Sequence, residues 1–274
     1  MVVGMACTLG FSAWQIRHAP ALIVALALWI VVPSAGVTAA TAASANCPGN
    51  PGALGTSRVM TVDMSTPRVG RKSFPSTLPL ANKEVVLTFD DGPLPGTTTR
   101  ILDALKAECA RATFFLLGRM TVKSPELARR ELAEGHTVAH HSYSHPLLGH
   151  MNPDKAMADI ERGFAADDTA LYGKATGTPR TPFFRFPGFV SSQPLLDRLA
   201  ARNIIVIGTD VWASDWNAMS PAEELRLVLA RLHQNHGGIL LLHDTKQQTA
   251  AMVPELLRAL KADGFRVVHI VPRH

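Results

Sequence analysis

Seven short apolar runs recur from residue 84 to the end of the chain, with longer segments between them. The runs are Val85–Phe89, Ala112–Leu117, Thr137–His140, Phe183–Phe186, Ile204–Gly208, Ile239–His243 and Phe265–Val271. Each is apolar along nearly its whole length, as in strands that helices bury on both faces. Their alternation with helix-like segments predicts a largely parallel α/β sheet. The pattern is compatible with an open doubly wound sheet and with a barrel.

Three of the intervening segments carry helix-start signals. Ser124, Asn152 and Ser220 each stand directly before a proline, and proline favours the first position of a helix. Ser220 also has a glutamate three residues later, Glu223, which predicts a capping box. Neither a GxGxxG nor a P-loop lysine motif follows the first strand, so nucleotide-binding versions of the fold are disfavoured.

Residues 1–45 are expected to form a secretory signal peptide. The run Ala21–Val32 is apolar and uninterrupted, but twelve helical residues rise only about 18 Å, less than a bilayer core of about 30 Å. The small residues Ala43–Ala45 fit signal cleavage before Asn46. We therefore expect a secreted, periplasmic or cell-envelope protein with no stable membrane span after cleavage. A retained anchor is the alternative.

Residues 46–80 are rich in Pro, Gly, Ser and Thr, and we interpret them as an N-terminal arm lying on a catalytic domain of residues 81–274. Within this arm, only Arg58–Val62 has an extended pattern. Cys47 of the arm and Cys109 of the domain would share an oxidising compartment. They form either a disulfide or two buried thiols.

The composition indicates a folded protein that does not bind nucleic acid. The chain has 274 residues, of which 47% are hydrophobic and 18% charged, so it can bury a sizeable core. Its formal net charge is +5, but the basic residues are scattered in nothing longer than pairs such as Arg71-Lys72. A nucleic-acid footprint would need a concentrated basic stripe.

Ionisable side chains follow five of the seven predicted strands. They are Asp90 and Asp91 after the first, His141 and His145 after the third, Arg185 at the fourth, Asp210 and Asp215 after the fifth, and His243 at the sixth. In barrel-like α/β proteins the carboxyl ends of the strands converge on one face, where active sites lie. These groups are therefore expected to share one cavity.

Two of these groups have the residue types of a catalytic metal site. Asp90-Asp91 at a strand exit offers one carboxylate for a metal and another for proton transfer, although Asp-Gly and Gly-Pro are also ordinary turn signals. His141 and His145 are four residues apart and can face one ion. Hydrogen-bonded histidines are the alternative, and His136 and His140 have the same spacing. Two imidazoles and one carboxylate are a donor set typical of catalytic metal sites. In this chain, Asp91 would supply the carboxylate.

Other residues near the strand ends have two interpretations each. His243 closes an apolar strand as either a core histidine or a general acid, and Asp244 is expected to cap the next segment. Arg185 lies among phenylalanines, where a guanidinium needs a carboxylate partner. Trp216 is either core or a platform for a sugar ring.

Five ordered motifs together resemble the polysaccharide deacetylases, the nodulation-protein-B homology group or carbohydrate esterase family 4. They are TFDDG at 88–92, HSYSH at 141–145, RFP at 185–187, DW at 215–216 and LLLHD at 240–244. The resemblance spans about residues 84–271. It implies a distorted (β/α)7-type barrel with an N-terminal extension.

The resemblance also implies a set of roles. Asp91, His141 and His145 would bind a divalent metal, zinc above all, with Co²⁺, Mn²⁺ or Ni²⁺ as alternatives. Asp90 would be the general base and His243 the general acid. Arg185 would hold Asp90, and Asp215 would hold His243. Trp216 and Leu242 would line the substrate groove and the acetyl pocket.

Two positions depart from the family pattern. Gly188 replaces a tyrosine after RFP, and its backbone N–H can still stabilise an oxyanion. Trp212 stands where the fourth motif usually has an aspartate, and Asp210 is assigned no role.

The expected activity is metal-dependent removal of N-acetyl groups from an acetylated poly- or oligosaccharide, such as a chitooligosaccharide or a peptidoglycan-like glycan. An O-acetyl esterase and an inactive carbohydrate-binding protein of the same fold are the alternatives.

Overall fold

The computed structural model describes residues 47–273, so the predicted signal peptide and its cleavage site lie outside the described residues. The strands of this part of the chain are β1 Thr56–Val62, β2 Arg68–Val69, β3 Glu84–Asp90, β4 Thr113–Leu116, β5 Thr137–His140, β6 Phe183–Phe184, β7 Ile205–Ile207, β8 Val211–Trp212, β9 Gly237–His243 and β10 Arg266–Pro272. The α-helices are α1 Thr97–Ala107, α2 Gly118–Lys123, α3 Pro125–Ala133, α4 Pro153–Tyr172, α5 Gln193–Ala201, α6 Pro221–Asn235 and α7 Gln247–Ala262. All seven predicted strands are confirmed.

The strands form one parallel sheet that curves into a distorted barrel. The sheet order is β1-β10-β3-β4-β5-β6-β7-β2, and β9 pairs with both β3 and β8. Every strand pair is parallel. The predicted parallel α/β barrel is thus confirmed, and the strand ends meet at one face as such a barrel requires.

Successive side chains of each strand point alternately to the inside of the barrel and to the layer beneath the helices. In β3, Val86 faces the interior cluster, whereas Val85, Leu87 and Phe89 pack against the helices. The two-residue period therefore directs Asp90, the last residue of the strand, toward the interior. The side chains at the strand ends therefore lie above an interior filled with apolar residues, such as Val86 and Phe115.

The segment 46–80 is more closely integrated than an arm on the surface. Residues of β1 pair with β10 along the strand, and β2 pairs with β7, so this segment adds two strands to the sheet. Cys47 and Cys109 form a disulfide that joins the start of the segment to the turn after α1. Among residues 47–273, none of the helices has both the length and the apolar content to cross a membrane.

Helices begin at all three predicted positions, and two of the three preceding residues also cap the helix with their side chains. The Asn152 side chain accepts hydrogen bonds from the first turn of α4, and Ser220 with Glu223 forms the predicted capping box of α6. Ser124 precedes α3, but its side chain makes no capping hydrogen bond, because its backbone dihedrals (φ −136°, ψ 57°) differ from the extended geometry typical of that position.

Candidate active site

A cavity of about 400 Å³ opens at the carboxyl ends of β3, β5 and β9. It is lined by Asp90, Asp91, His141, His145, Phe186, Gly188, Phe189, Trp212, Trp216, Leu241, His243 and Lys246. Most of the ionisable residues singled out in the sequence therefore meet in one place. Its lining combines six titratable side chains with five aromatic or aliphatic ones.

Asp91, His141 and His145 form a cluster suited to a metal ion. One ligand atom from each lies within 4.8 Å of the others. Asp91 Oδ1 is 3.6 Å from His141 Nε2 and 3.4 Å from His145 Nε2, and this buried oxygen has no hydrogen-bond partner. Two imidazoles and a carboxylate are a donor set that zinc and similar divalent ions accept. The residues fit such an ion.

The ring of His141 is oriented by a neighbouring carbonyl. Its Nδ1 donates to the Arg185 carbonyl oxygen at 2.8 Å, so Nε2 carries the lone pair that faces Asp91. Burial lowers the pKa of His141 to about 3, against a smaller opposing effect of Asp91. The imidazole is therefore neutral at physiological pH, as a metal ligand must be.

Helix α4 holds the loop that carries both histidines. The Asp159 carboxylate accepts hydrogen bonds from the backbone N–H groups of Tyr143 and Ser144, at 3.0 and 3.2 Å, and from the Ser144 hydroxyl at 2.6 Å. Within the loop, the His145 N–H donates to Ser142 Oγ at 3.1 Å. Sequence reasoning missed Asp159, because no local signal connects residue 159 with residues 143 and 144.

A glycine on the same helix allows the loop to approach closely. A Cβ on Gly163 would lie 2.6 Å from the carbonyl carbon of Ser142 and 2.9 Å from the backbone nitrogen of Tyr143. From the other side, Gly118 and Arg119 of α2 donate to the carbonyl oxygens of Ser142 and Tyr143. The loop is thus bound on both sides, as preorganised metal sites are.

Asp90 is paired with a fully buried arginine. Arg185 Nη1 donates to Asp90 Oδ1 at 2.7 Å and to Thr88 Oγ1 at 2.8 Å. The remaining guanidinium donors reach the carbonyl oxygens of Ile207 and Gly208. Burial raises the pKa of the Asp90 carboxyl above its ordinary value, and the positive charge of Arg185 opposes that rise. The expected pairing of Arg185 with Asp90 is present.

His243 is bound to Asp215 in the manner of an oriented acid–base pair. His243 Nδ1 lies 2.7 Å from Asp215 Oδ1, and the His243 backbone N–H donates to Asp215 Oδ2 at 2.7 Å. Burial acts to lower the pKa of His243, but the hydrogen bond and charge of Asp215, together with Asp90 and Asp91, raise it to about 9. The imidazole is therefore protonated at neutral pH, and its Nε2 lies 4.0 Å from Asp91 Oδ2.

Asp215 is itself supported by α7 and α6. Thr249 Oγ1 lies 3.0 Å from Asp215 Oδ2 and 2.8 Å from Glu224 Oε1, and Gln248 Nε2 donates to the Asp215 carbonyl oxygen. Gln248 and Thr249 were not foreseen, because they lie on α7, 33 and 34 residues further along the chain. Their hydrogen bonds help to satisfy the polar groups of the buried Asp215.

Aromatic side chains form the outer wall of the cavity. Trp216 is 49% exposed, and its ring meets His243 and Trp212 edge-on, with centroids 6.1 and 5.9 Å apart. Gly188 lies on the same wall with φ 57°, a conformation that favours glycine. An exposed tryptophan beside titratable groups can stack on a sugar ring.

Leu242 does not line the cavity, so this expectation was wrong. It is fully buried in the cluster beneath the helices, whereas Leu241 lines the cavity. The reason is the two-residue period of β9, which sends Leu241 and His243 to the interior and Leu242 to the opposite face. Counting back two residues from His243 would have identified Leu241.

Four other residues considered in the sequence analysis make structural hydrogen bonds outside the metal cluster. His136 Nδ1 accepts from the Ala112 N–H, and His140 pairs with Asp167 in a buried site, so neither belongs to the metal cluster. Asp244 does not cap α7, whose N-cap residue is Lys246; its carboxylate accepts from the Thr98 hydroxyl at 2.6 Å. Asp210, given no role, accepts three hydrogen bonds from backbone and hydroxyl groups.

Comparison with known proteins agrees with this geometry. The chain matches the polysaccharide deacetylase family over residues 78–203. It is 34% identical over 191 residues to the peptidoglycan-N-acetylglucosamine deacetylase PgdA of Listeria monocytogenes, which covers 69% of this chain and 38% of PgdA. The chain thus spans well under half the length of that relative.

Two further similarities extend over more of the compared proteins. The chain is 31% identical over 205 residues to a chitooligosaccharide deacetylase of Bradyrhizobium sp. (strain ANU 289), covering 70% of this chain and 90% of that protein. It resembles the solved structure of the Bdellovibrio bacteriovorus peptidoglycan deacetylase Bd3279 with a TM-score of 0.69 and 32% identity, over 79% of this chain and 59% of that one. Motifs, barrel and relatives agree, and the chain belongs to the polysaccharide deacetylase family.

Proposed function

We propose that the protein is a metal-dependent hydrolase that removes N-acetyl groups from the amino sugars of a poly- or oligosaccharide and releases acetate. One observation carries the proposal. The Asp91/His141/His145 cluster shares its cavity with an arginine-paired carboxylate, Asp90, and an aspartate-paired imidazole, His243. This combination supplies a metal site, a base and an acid around one reacting centre.

Asp91, His141 and His145 would hold the metal, with zinc as the first choice and Co²⁺, Mn²⁺ or Ni²⁺ as alternatives. When bound, the metal would polarise the acetamide carbonyl and lower the pKa of a water toward about 7. The orphaned oxygen of Asp91 and the neutral ring of His141 support this assignment.

Asp90 would accept the proton of the attacking water. Its Oδ1 is held by Arg185, and its Oδ2 lies 3.8 Å from His141 Nε2, so the carboxylate faces the metal cluster. Arg185 would fix the rotamer of Asp90 and keep its carboxyl ionised, which a general base requires. Asp90 and Arg185 act together in this scheme.

His243 would donate a proton to the departing amine nitrogen, because an amide nitrogen leaves poorly without one. Asp215 holds Nδ1, so Nε2 is the atom that would deliver the proton. The backbone N–H of Gly188 would contribute to stabilising the oxyanion. Trp216 would stack on the sugar, and Leu241, in place of Leu242, would contact the acetyl methyl group.

We further propose that residues 1–45 act as a signal peptide, that the segment 46–80 is an extension of the catalytic domain 81–274, and that the protein works outside the cytoplasm or in the cell envelope. The disulfide between Cys47 and Cys109 supports this location, because such bonds persist in oxidising compartments. The partner would be an acetylated glycan.

An O-acetyl esterase would use the same groups, since both reactions need a metal-activated water that attacks an acetyl carbonyl. An ester leaving group needs less protonation than an amine. The two reactions should therefore differ in how strongly they depend on the proton from His243. The presence of every proposed acid, base and ligand residue argues against an inactive carbohydrate-binding protein.

The test measures acetate released from chitopentaose, from peptidoglycan and from an O-acetylated glycan, with added zinc and with a chelator. We expect zinc-dependent release from the N-acetylated glycans, and a His243→Ala variant should lose that release. Release from the O-acetylated glycan alone would support the esterase. No release from any glycan by a protein loaded with one zinc equivalent would contradict both proposals.

A further inference from the structure

A second cavity, of about 370 Å³, lies next to the catalytic one. Trp212 lines both cavities. The second cavity lies between the segment that contains Lys72 and the last turns of α6, which contribute Arg231 and Gln234. A glycan seated in the catalytic cavity would therefore place a neighbouring sugar or its substituent at this second cavity.

Two cations border the second cavity. Lys72 Nζ lies 4.8 Å from the ring centroid of Trp212, and the lysine is exposed. Arg231 Nη1 donates to the Trp212 carbonyl oxygen at 2.8 Å and to Ser214 Oγ at 2.7 Å, which fixes the guanidinium beside the same tryptophan. Within residues 47–273, neither cation has a carboxylate oxygen within 4.0 Å.

Asp210 is the one acidic residue in the described wall of this cavity. Its side chain is buried, and its two oxygens accept from the Arg71 N–H, the Thr77 hydroxyl and the Ile239 N–H at 2.7–2.9 Å. These neutral donors leave the negative charge of Asp210 in place, but the carboxylate makes no direct ion pair with Lys72 or Arg231. The wall therefore carries two positive charges and one negative charge, a net positive balance.

Trp212 stands where the fourth family motif usually has an aspartate. This chain thus has an aromatic ring with a lysine over it at a position where a carboxylate would repel an anion. The lysine comes from the segment 46–80, which the sheet holds in place through β2. The sheet therefore holds the segment that places the positive charge of Lys72 beside the cavity.

We propose that Lys72 and Arg231 form an anion subsite that binds a carboxylate carried by the glycan next to the sugar that loses its acetyl group. This inference rests on the proposed deacetylase function and narrows its substrate to a carboxylated glycan over a neutral one. The lactyl ether of a muramic acid unit or a uronic acid supplies such a group.

The test compares two matched tetrasaccharides of alternating N-acetylglucosamine and N-acetylmuramic acid. One has free lactyl carboxylates, and in the other they are converted to methylamides, which removes the charge and keeps the shape. We expect wild-type kcat/KM to be higher for the free carboxylate, and Lys72→Met to lower this ratio about twofold to fivefold, the range of an exposed ion pair. Lys72→Arg should retain the ratio. Lys155→Met, an exposed lysine on α4, is the control and should also retain it.

Salt is an independent readout of the same contact. The carboxylate preference should shrink from 50 mM to 500 mM NaCl, because the Debye length falls to a few ångströms. Equal kcat/KM for the two tetrasaccharides, or a ratio unchanged in Lys72→Met, would overturn the anion subsite.

Calorimetric binding separates this inference from the proposed function, since binding needs no turnover. Carboxylate-selective binding that Lys72→Met weakens would support the subsite even if these tetrasaccharides released no acetate, whereas acetate release from chitopentaose and peptidoglycan decides the deacetylase proposal. Acetate release from both tetrasaccharides without selective binding would support the deacetylase and overturn the subsite. A uronic acid oligosaccharide as a third ligand distinguishes between the two sources of the carboxylate.

Discussion

Asp215 binds His243 through both oxygens of its carboxylate, one to the ring Nδ1 and one to the backbone N–H, each at 2.7 Å. The ring can therefore neither flip nor rotate without breaking a charged hydrogen bond. Its Nε2 is directed toward the cavity, and the carboxylate helps to hold the ring in its protonated form. The relationship explains how a mostly buried histidine can serve as an acid at neutral pH.

Replacing Asp215 with asparagine tests this relationship. Asp215→Asn removes the negative charge, so the pKa of His243 should fall and kcat for deacetylation should decrease on the order of 10²-fold. Zinc binding should stay near one equivalent. The kcat–pH profile and a zinc titration are the measurements, with Asp197→Asn on the surface as control. A variant with wild-type kcat would contradict the role of His243.

The buried pair of Arg185 and Asp90 predicts an asymmetric stability effect. Arg185→Met leaves Asp90 without its partner in a buried site and should lower the free energy of unfolding by about 3–5 kcal/mol. The double variant with Asp90→Asn should recover part of that loss, because no unpaired charge remains. Urea denaturation of the three variants measures this. If Arg185→Met and the double variant lose the same free energy of unfolding, Arg185 and Asp90 are not coupled.

Asp159 is predicted to control metal affinity without contacting the metal. Asp159→Ala removes three hydrogen bonds from the loop that carries His141 and His145, so zinc affinity should fall about 10- to 100-fold. Competition with a chromophoric chelator measures this affinity. Glu161→Ala, on the same helix and exposed, is the matched control. If the two variants bind zinc equally well, the contact between Asp159 and the histidine loop does not control zinc affinity.

The lowered pKa of the buried His269 predicts that the protein loses stability in acid. Burial and the nearby Arg111 lower its pKa to about 4, against an ordinary value of 6.5. Between these pH values the unfolded chain binds a proton that the folded protein does not, so the free energy of unfolding falls as the pH drops from about 6.5 toward 4. This group contributes at most about 3 kcal/mol to the loss.

The matched variant for this effect is His269→Gln, which keeps an amide near Thr137 and cannot take up a proton. The difference in free energy of unfolding between pH 7.5 and pH 5 should be smaller in the variant than in the wild type. Urea denaturation at both pH values provides the comparison. Identical differences would show that His269 does not contribute.

The elements near the site could be predicted because their patterns are local. Buried strands require continuous apolar runs, so all seven were visible, and the carboxylates and imidazoles at their ends follow from the parallel arrangement. Strands β1 and β2 were less apparent, because β1 has exposed residues along its length and β2 contains two residues. Such strands depend on their partners in the sheet more than on their own composition.

What remained hidden are contacts between distant parts of the chain. Asp159 and Thr249 support the catalytic side chains from helices, and Lys72 reaches the second cavity from the N-terminal segment. Nothing adjacent to these residues in sequence indicates these contacts. Leu242 was misplaced for a different reason. The alternation of β9 was available in the sequence, and applying it from His243 assigns Leu241 to the cavity.

The proposed reaction depends on one metal ion at Asp91, His141 and His145, with Asp90 as the base. Its most direct test is a titration of zinc into the chelator-stripped protein while acetate release from chitopentaose and peptidoglycan is recorded. Activity should rise with zinc and saturate at one equivalent. An Asp90→Asn variant should bind one zinc and release at least about 100-fold less acetate. Full activity in the stripped protein, or an active Asp90→Asn variant, would contradict the proposed reaction.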